Sequence, residues 1–164
     1  MGLAVPYGNS KTIPFEKRYF AGGANGMRGW TVRGLGPGSY KGSDKNIDFI
    51  NQSGDLKLDW NIELRSHLFW KLHSALFVDA GNIWTLRSSG DPESDMAMFR
   101  WDTFSESIAA NWGLGLRLNF GFLLLRLDMG MKIHDPARLD KWVRPEQWLH
   151  RDGFALHFGV GYPF

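Results

Sequence analysis

The chain has 164 residues, 43% of them hydrophobic and 22% charged, which suits one domain and is short for two. It contains no cysteine, which excludes a disulfide framework, a thiolate metal site and a thiol nucleophile. A formal charge of +2 and a mean hydropathy of −0.28 give no case for nucleic acid as a partner. The 20 glycines, and aromatic residues at 15%, point instead to an all-β chain with many turns and a membrane interface.

No run of apolar residues is long enough for a transmembrane helix, but a barrel strand needs only about 9–11 residues with one apolar face. Met1-Gly2-Leu3-Ala4-Val5-Pro6 lacks the basic and apolar regions of an export signal. The first ten residues read as the end of a strand, so the chain is expected to be the C-terminal portion of a longer exported protein.

Residues 11–53 are expected to form one long loop. Seven glycines fall within Gly22–Gly38 with no hydrophobic period, and Phe15, Tyr19, Phe20 and Trp30 lie in or near them. Glycine lets a loop approach another surface closely. A flexible linker would not carry so many aromatic anchors. A phosphate cradle would need a closing Lys-Ser or Lys-Thr pair in a strand–loop–helix setting, which is missing.

From residue 54 onward the period is two. Leu56, Leu58, Trp60, Ile62 and Leu64 alternate with Lys57, Asp59, Asn61, Glu63 and Arg65. A helix cannot gather those five apolar residues on one face, whereas a strand does so automatically. A noisier strand at 72–84 places Leu76, Val78 and Ala80 against Phe77, Asp79 and Gly81. Trp112 to Phe120, Leu125 to Ile133 and Phe154 to Phe164 repeat the alternation, giving five strands across 54–164.

Short turns near His67–Lys71 and Asn119–Phe122 alternate with long polar loops at 85–106 and 135–152. Outer-membrane barrels sort their connections in this way, with short periplasmic turns and long external loops. Trp84, Trp112, Phe120, Phe122, Tyr162 and Phe164 near strand ends fit interfacial girdles. A soluble β-barrel binding a small ligand is the rival of a different class. The histidines His67, His73, His134, His150 and His157 show no metal spacing, and no catalytic constellation is recognisable. No enzyme, metal or cofactor is expected.

Tyr19-Phe20-Ala21-Gly22-Gly23-Ala24-Asn25-Gly26-Met27-Arg28-Gly29-Trp30, followed by Arg33-Gly34, resembles the long loop of the BamA/TamA outer-membrane assembly superfamily, the bacterial surface antigen barrels. Phe77-Val78-Asp79-Ala80-Gly81 resembles that family's aromatic-x-Asp-x-Gly motif, and the ending at Phe164 its terminal strand signal. The wording is most similar to members from Bacteroidetes-type bacteria. The resemblance implies a Gram-negative outer-membrane location and an antiparallel meander forming the last strands of a sixteen-stranded transmembrane β-barrel.

It further implies that the loop inserts into the lumen and that Arg28 pairs with lumen carboxylates, for which the inward faces offer Asp79 and Glu63. The terminal signal would be Phe154, Leu156, Phe158, Val160, Tyr162 and Phe164. Implied partners are outer-membrane lipid, client outer-membrane proteins, and the remaining strands and periplasmic domains of the full protein. Insertion or assembly of outer-membrane proteins is the expected function, and a secretion pore of the same superfamily is the alternative. Taken alone, such a piece would self-associate through its open edges.

Overall fold

The computed structural model describes residues 1–5, 13–41, 52–87, 90, 92–150 and 152–161. Residues 6–10 of the expected strand end, 11–12 and 42–51 of the expected loop, and Tyr162 and Phe164 of the terminal signal lie outside the described residues. Among the described residues six strands form one antiparallel sheet in chain order. They are β1 (Gly2–Leu3), β2 (Leu56–Phe69), β3 (Leu72–Trp84), β4 (Ala109–Asn119), β5 (Leu124–His134) and β6 (Phe154–Val160). The sheet is a meander in the form of an open half-barrel, with β1 and β6 at its edges.

The register places the connections at two ends. Leu72 pairs with Leu118 on β4 beside the short turns, and the long segments leave from the opposite end, after Trp84 and His134. The first long segment holds two short helices, α1 (Pro92–Ala97) and α2 (Phe104–Ser107). Lys141 Nζ reaches Glu106 Oε2 at 2.6 Å and so ties the second long segment to the first.

The alternation in the sequence becomes a two-faced wall. Trp60, Ile62 and Leu64 on β2, Leu76 and Val78 on β3, Leu114 and Leu116 on β4, Leu127 on β5 and Leu156, Phe158 and Val160 on β6 are all exposed on the outer face. Such a surface is far larger than a water-soluble monomer tolerates, and it is what a lipid-facing barrel requires. The inner face carries Asp79, Asn111, Arg117, Arg126, Asp128 and His157, all buried. Burial of so much charge needs a cover, and the segment 13–41 supplies it. Met27, Trp30, Leu35 and Ala21 of that segment pack with Ile83 and Ala109 as a small apolar core at the end with the long segments.

Trp84 departs from its expected place in an interfacial girdle. It is buried, donates from Nε1 to Ser107 Oγ at 3.0 Å, and stacks near Phe99 and Phe104. The long segment folds over the strand end, so a residue at that end meets loop rather than lipid. Trp112 keeps partial exposure but packs against Trp148 of the second long segment, 5.3 Å between ring centres. Phe122 is fully open in the β4–β5 turn, and Phe120 packs edge-on to Trp70 in the neighbouring turn.

Candidate functional site: the lumen clamp

The loop tip is built to lie flat on the wall. Gly22 and Gly23 adopt positive φ, and Gly23 N–H donates to the Trp30 carbonyl at 3.0 Å, closing a compact turn around residues 24–29. Two further glycines allow contact. A first side-chain carbon on Gly29 would lie 2.7 Å from Asn111 Cβ, and one on Gly130 would lie 2.2 Å from the Arg28 carbonyl oxygen. Gly29 thus makes room for the Asn111 side chain, and Gly130 for the loop backbone itself.

Arg28 is fully buried. Its Nη2 donates to Asp79 Oδ1 at 2.7 Å and its Nε to Asp79 Oδ2 at 3.0 Å, the two-pronged geometry a guanidinium offers a carboxylate. Its backbone N–H adds a third bond to Asp79 Oδ2 at 3.2 Å, and Nη1 reaches Glu63 Oε2 at 2.5 Å. The guanidinium carbon lies 3.5 Å from the centre of the Phe77 ring, a cation–π contact. Burial works against the charge of Arg28, but hydrogen bonding and attraction to Asp79, then Glu63, outweigh it and hold the guanidinium ionised more firmly than a free one.

The aromatic-x-Asp-x-Gly motif now has a physical reading. Phe77, Asp79 and Gly81 share the inner face because a strand repeats every two residues. Phe77 supplies the ring under Arg28 and Asp79 the carboxylate. Gly81 leaves room for the Leu58 carbonyl, which lies 2.0 Å from where its side chain would begin. Asn111 Nδ2 donates to Asp79 Oδ2 at 2.9 Å, and Asn61, with its amide turned to donate, reaches Asp79 Oδ1 at 2.9 Å.

A second layer of charge extends the clamp. Glu63 also accepts from Arg65 Nε at 2.6 Å and faces Arg117 Nη2 at 3.3 Å. Arg117 Nη1 lies 2.5 Å from Asp128 Oδ1, and Arg126 Nη1 lies 3.6 Å from Asp128 Oδ2. Arg126 also donates through Nη2 to Asn25 Oδ1, joining the loop to β5. Four guanidiniums therefore face three carboxylates in one continuous network on β2 to β5 and the loop.

Of the loop residues read from the sequence, Asn25, Arg28 and Gly29 touch the wall, Met27 and Trp30 fill the apolar core, and Gly22 and Gly23 shape the turn. Ala24 lies partly covered beside Asn25. Arg33 stays outside the cluster: it is exposed, in a left-handed backbone conformation, with its guanidinium 4.2 Å from the Phe20 ring centre. Gly34 is likewise exposed, with Thr31 Oγ1 lying 2.5 Å from where its side chain would begin. The terminal-signal residues Phe154, Leu156, Phe158 and Val160 lie on β6 and point away from the lumen. Sequence reasoning did not single out Arg117, Arg126, Asp128, Asn111 or His157. Alternation places each of them inward, but nothing local specifies its partner.

An apolar outer face, a charged inner face and a loop clamped across it define the wall of a transmembrane β-barrel. The family model of the Omp85 superfamily domain matches residues 1–164, and the chain belongs to that superfamily. It is 30% identical over 99 residues to outer membrane protein assembly factor BamA of Neisseria meningitidis serogroup B (strain ATCC BAA-335 / MC58). The match covers 57% of this chain and 12% of that relative, so the chain spans a small part of the relative's length. The protein resides in the Gram-negative outer membrane and belongs to a family of outer-membrane assembly and secretion proteins.

Proposed function

We propose that this chain is the working end of a barrel that inserts or assembles other outer-membrane proteins, without enzymatic chemistry, metal or cofactor. The observation that carries the reading is the Arg28 clamp. A buried guanidinium held by two carboxylates costs a great deal to desolvate and is stable only when every partner is in place. Such a site fixes one loop conformation, as a device that must hold its lumen and edge in register would require. The edge strand β6 would offer its unpaired backbone to a client strand. Its outward Phe154, Leu156, Phe158 and Val160, continued by Tyr162 and Phe164, would be read as a strand signal during the protein's own assembly.

The test uses the intact protein in lipid vesicles and an unfolded outer-membrane client. Arg28→Ala is expected to slow client insertion at least about tenfold, because one orphaned buried partner costs about 3–5 kcal/mol. The reading fails if the wild type inserts no client, or if Arg28→Ala inserts as fast as wild type. Passage of a soluble partner across the membrane, with no client insertion, would favour the secretion role.

A further inference from the structure

We propose that His157 is a positioning residue that latches the edge strand β6 to the lumen loop through the backbone of Arg28; this rests on the assembly reading above and deepens it. The side chain of Arg28 grips β2 and β3, through Glu63 and Asp79. Its carbonyl points the opposite way, across Gly130 of β5, and accepts a hydrogen bond from His157 Nε2 on β6 at 3.1 Å. The acceptor is a carbonyl, so this ring nitrogen carries the proton. One residue of the loop thus spans the interior of the sheet from β2 to β6.

Other features make the bond matter. The strand β6 is short, pairs only with β5 among the described residues, and ends the sheet. Its inward positions are Ala155, His157 and Gly159, so His157 is the one inward side chain long enough to reach the loop. The histidine is buried. Gly159 has no side chain because Arg126 fills that space, its Nε 2.5 Å from where a first carbon would lie, and Arg126 is bonded in turn to Asn25 of the loop. The strand is therefore bonded directly to the loop through His157, and packed through Gly159 against a side chain that the loop holds. Release of Arg28 from Asp79 would move the carbonyl that His157 grips, so the loop would set how readily the edge strand separates from β5.

The test is amide hydrogen exchange in the intact protein in lipid nanodiscs, comparing wild type, His157→Leu and His157→Gln. A glutamine amide nitrogen can take the place of Nε2, while leucine keeps bulk and donates nothing. His157→Leu should speed exchange across Phe154–Val160 about fivefold, the factor that loss of one ordinary hydrogen bond gives, with β3 and β4 unchanged. His157→Gln should restore most of the protection. Equal exchange in wild type and His157→Leu would overturn the latch, as would equal acceleration in both variants. Client insertion is measured on the same samples. Failure of the assembly reading would appear as no insertion by wild type, and the exchange comparison would stand apart from it.

Discussion

Arg28 joins the loop to four other strands or side chains of the wall, and most of those bonds depend on neighbours that leave it no room to move. Gly130 is the most sensitive of these neighbours, because its missing side chain is replaced by the backbone of Arg28 itself. Gly130→Ala should lift the tip off β5, at an overpacking cost of about 1–3 kcal/mol. Trypsin cleavage after Arg28 in the folded protein should then speed up about tenfold, while cleavage after the exposed Arg33 serves as the internal reference. Unchanged cleavage at Arg28 would mean that the close approach at Gly130 is not what seats the loop.

At this scale the sequence was legible in part. Alternation alone sends Asp79 and Glu63 inward, and the family resemblance joins them to Arg28. The triad of Arg117, Arg126 and Asp128 was not legible, because the alternation gives the face of a charge without its height or its neighbour. Register across the β4–β5 turn decides that Arg117 lies opposite Arg126 and diagonal to Asp128. The bond from His157 to a backbone carbonyl 129 residues earlier has no local signature of any kind.

At the scale of elements, strand alternation places the sides and the loops decide the ends. Each of β2, β4, β5 and β6 keeps one apolar face because the chain repeats at two, and that was readable without a partner. The end at which a strand meets folded loop was not readable. Trp84 shows why: as a tryptophan at a strand end it suits a membrane interface, yet α2 and its flanks bring Ser107, Phe99 and Phe104 over it. A long segment that folds back on its own strand converts an interfacial position into a core. The two-residue strand β1 lies within the stretch read as a strand end, but two residues cannot display a period, so its bounds were not legible.

The element-scale account predicts a strong asymmetry between faces. Leu114, midway along β4 and exposed on the outer side, should resist a charge. Leu114→Lys is expected to destabilise the intact barrel in lipid vesicles by about 2–4 kcal/mol, read from urea titration of its heat-modifiable folded band. Unchanged stability would show that this face does not meet hydrocarbon.

For the whole molecule, the two faces and the clamp form one argument. A charged interior is tolerable because the loop and the strands satisfy it together, and an apolar exterior is tolerable because lipid covers it. The superfamily assignment agrees with both and adds the cellular setting. The most direct test exploits the absence of cysteine from these 164 residues. Single cysteines at Leu64, Leu114, Leu127 and Phe158, with Arg65 as the inward reference, would carry spin labels in the intact protein in lipid bilayers. The four outward labels should collide more with oxygen, which partitions into lipid, and the label at Arg65 more with a water-soluble nickel chelate. Nickel collisions at the outward sites as frequent as at Arg65 would contradict the claim that this sheet is a membrane-spanning wall.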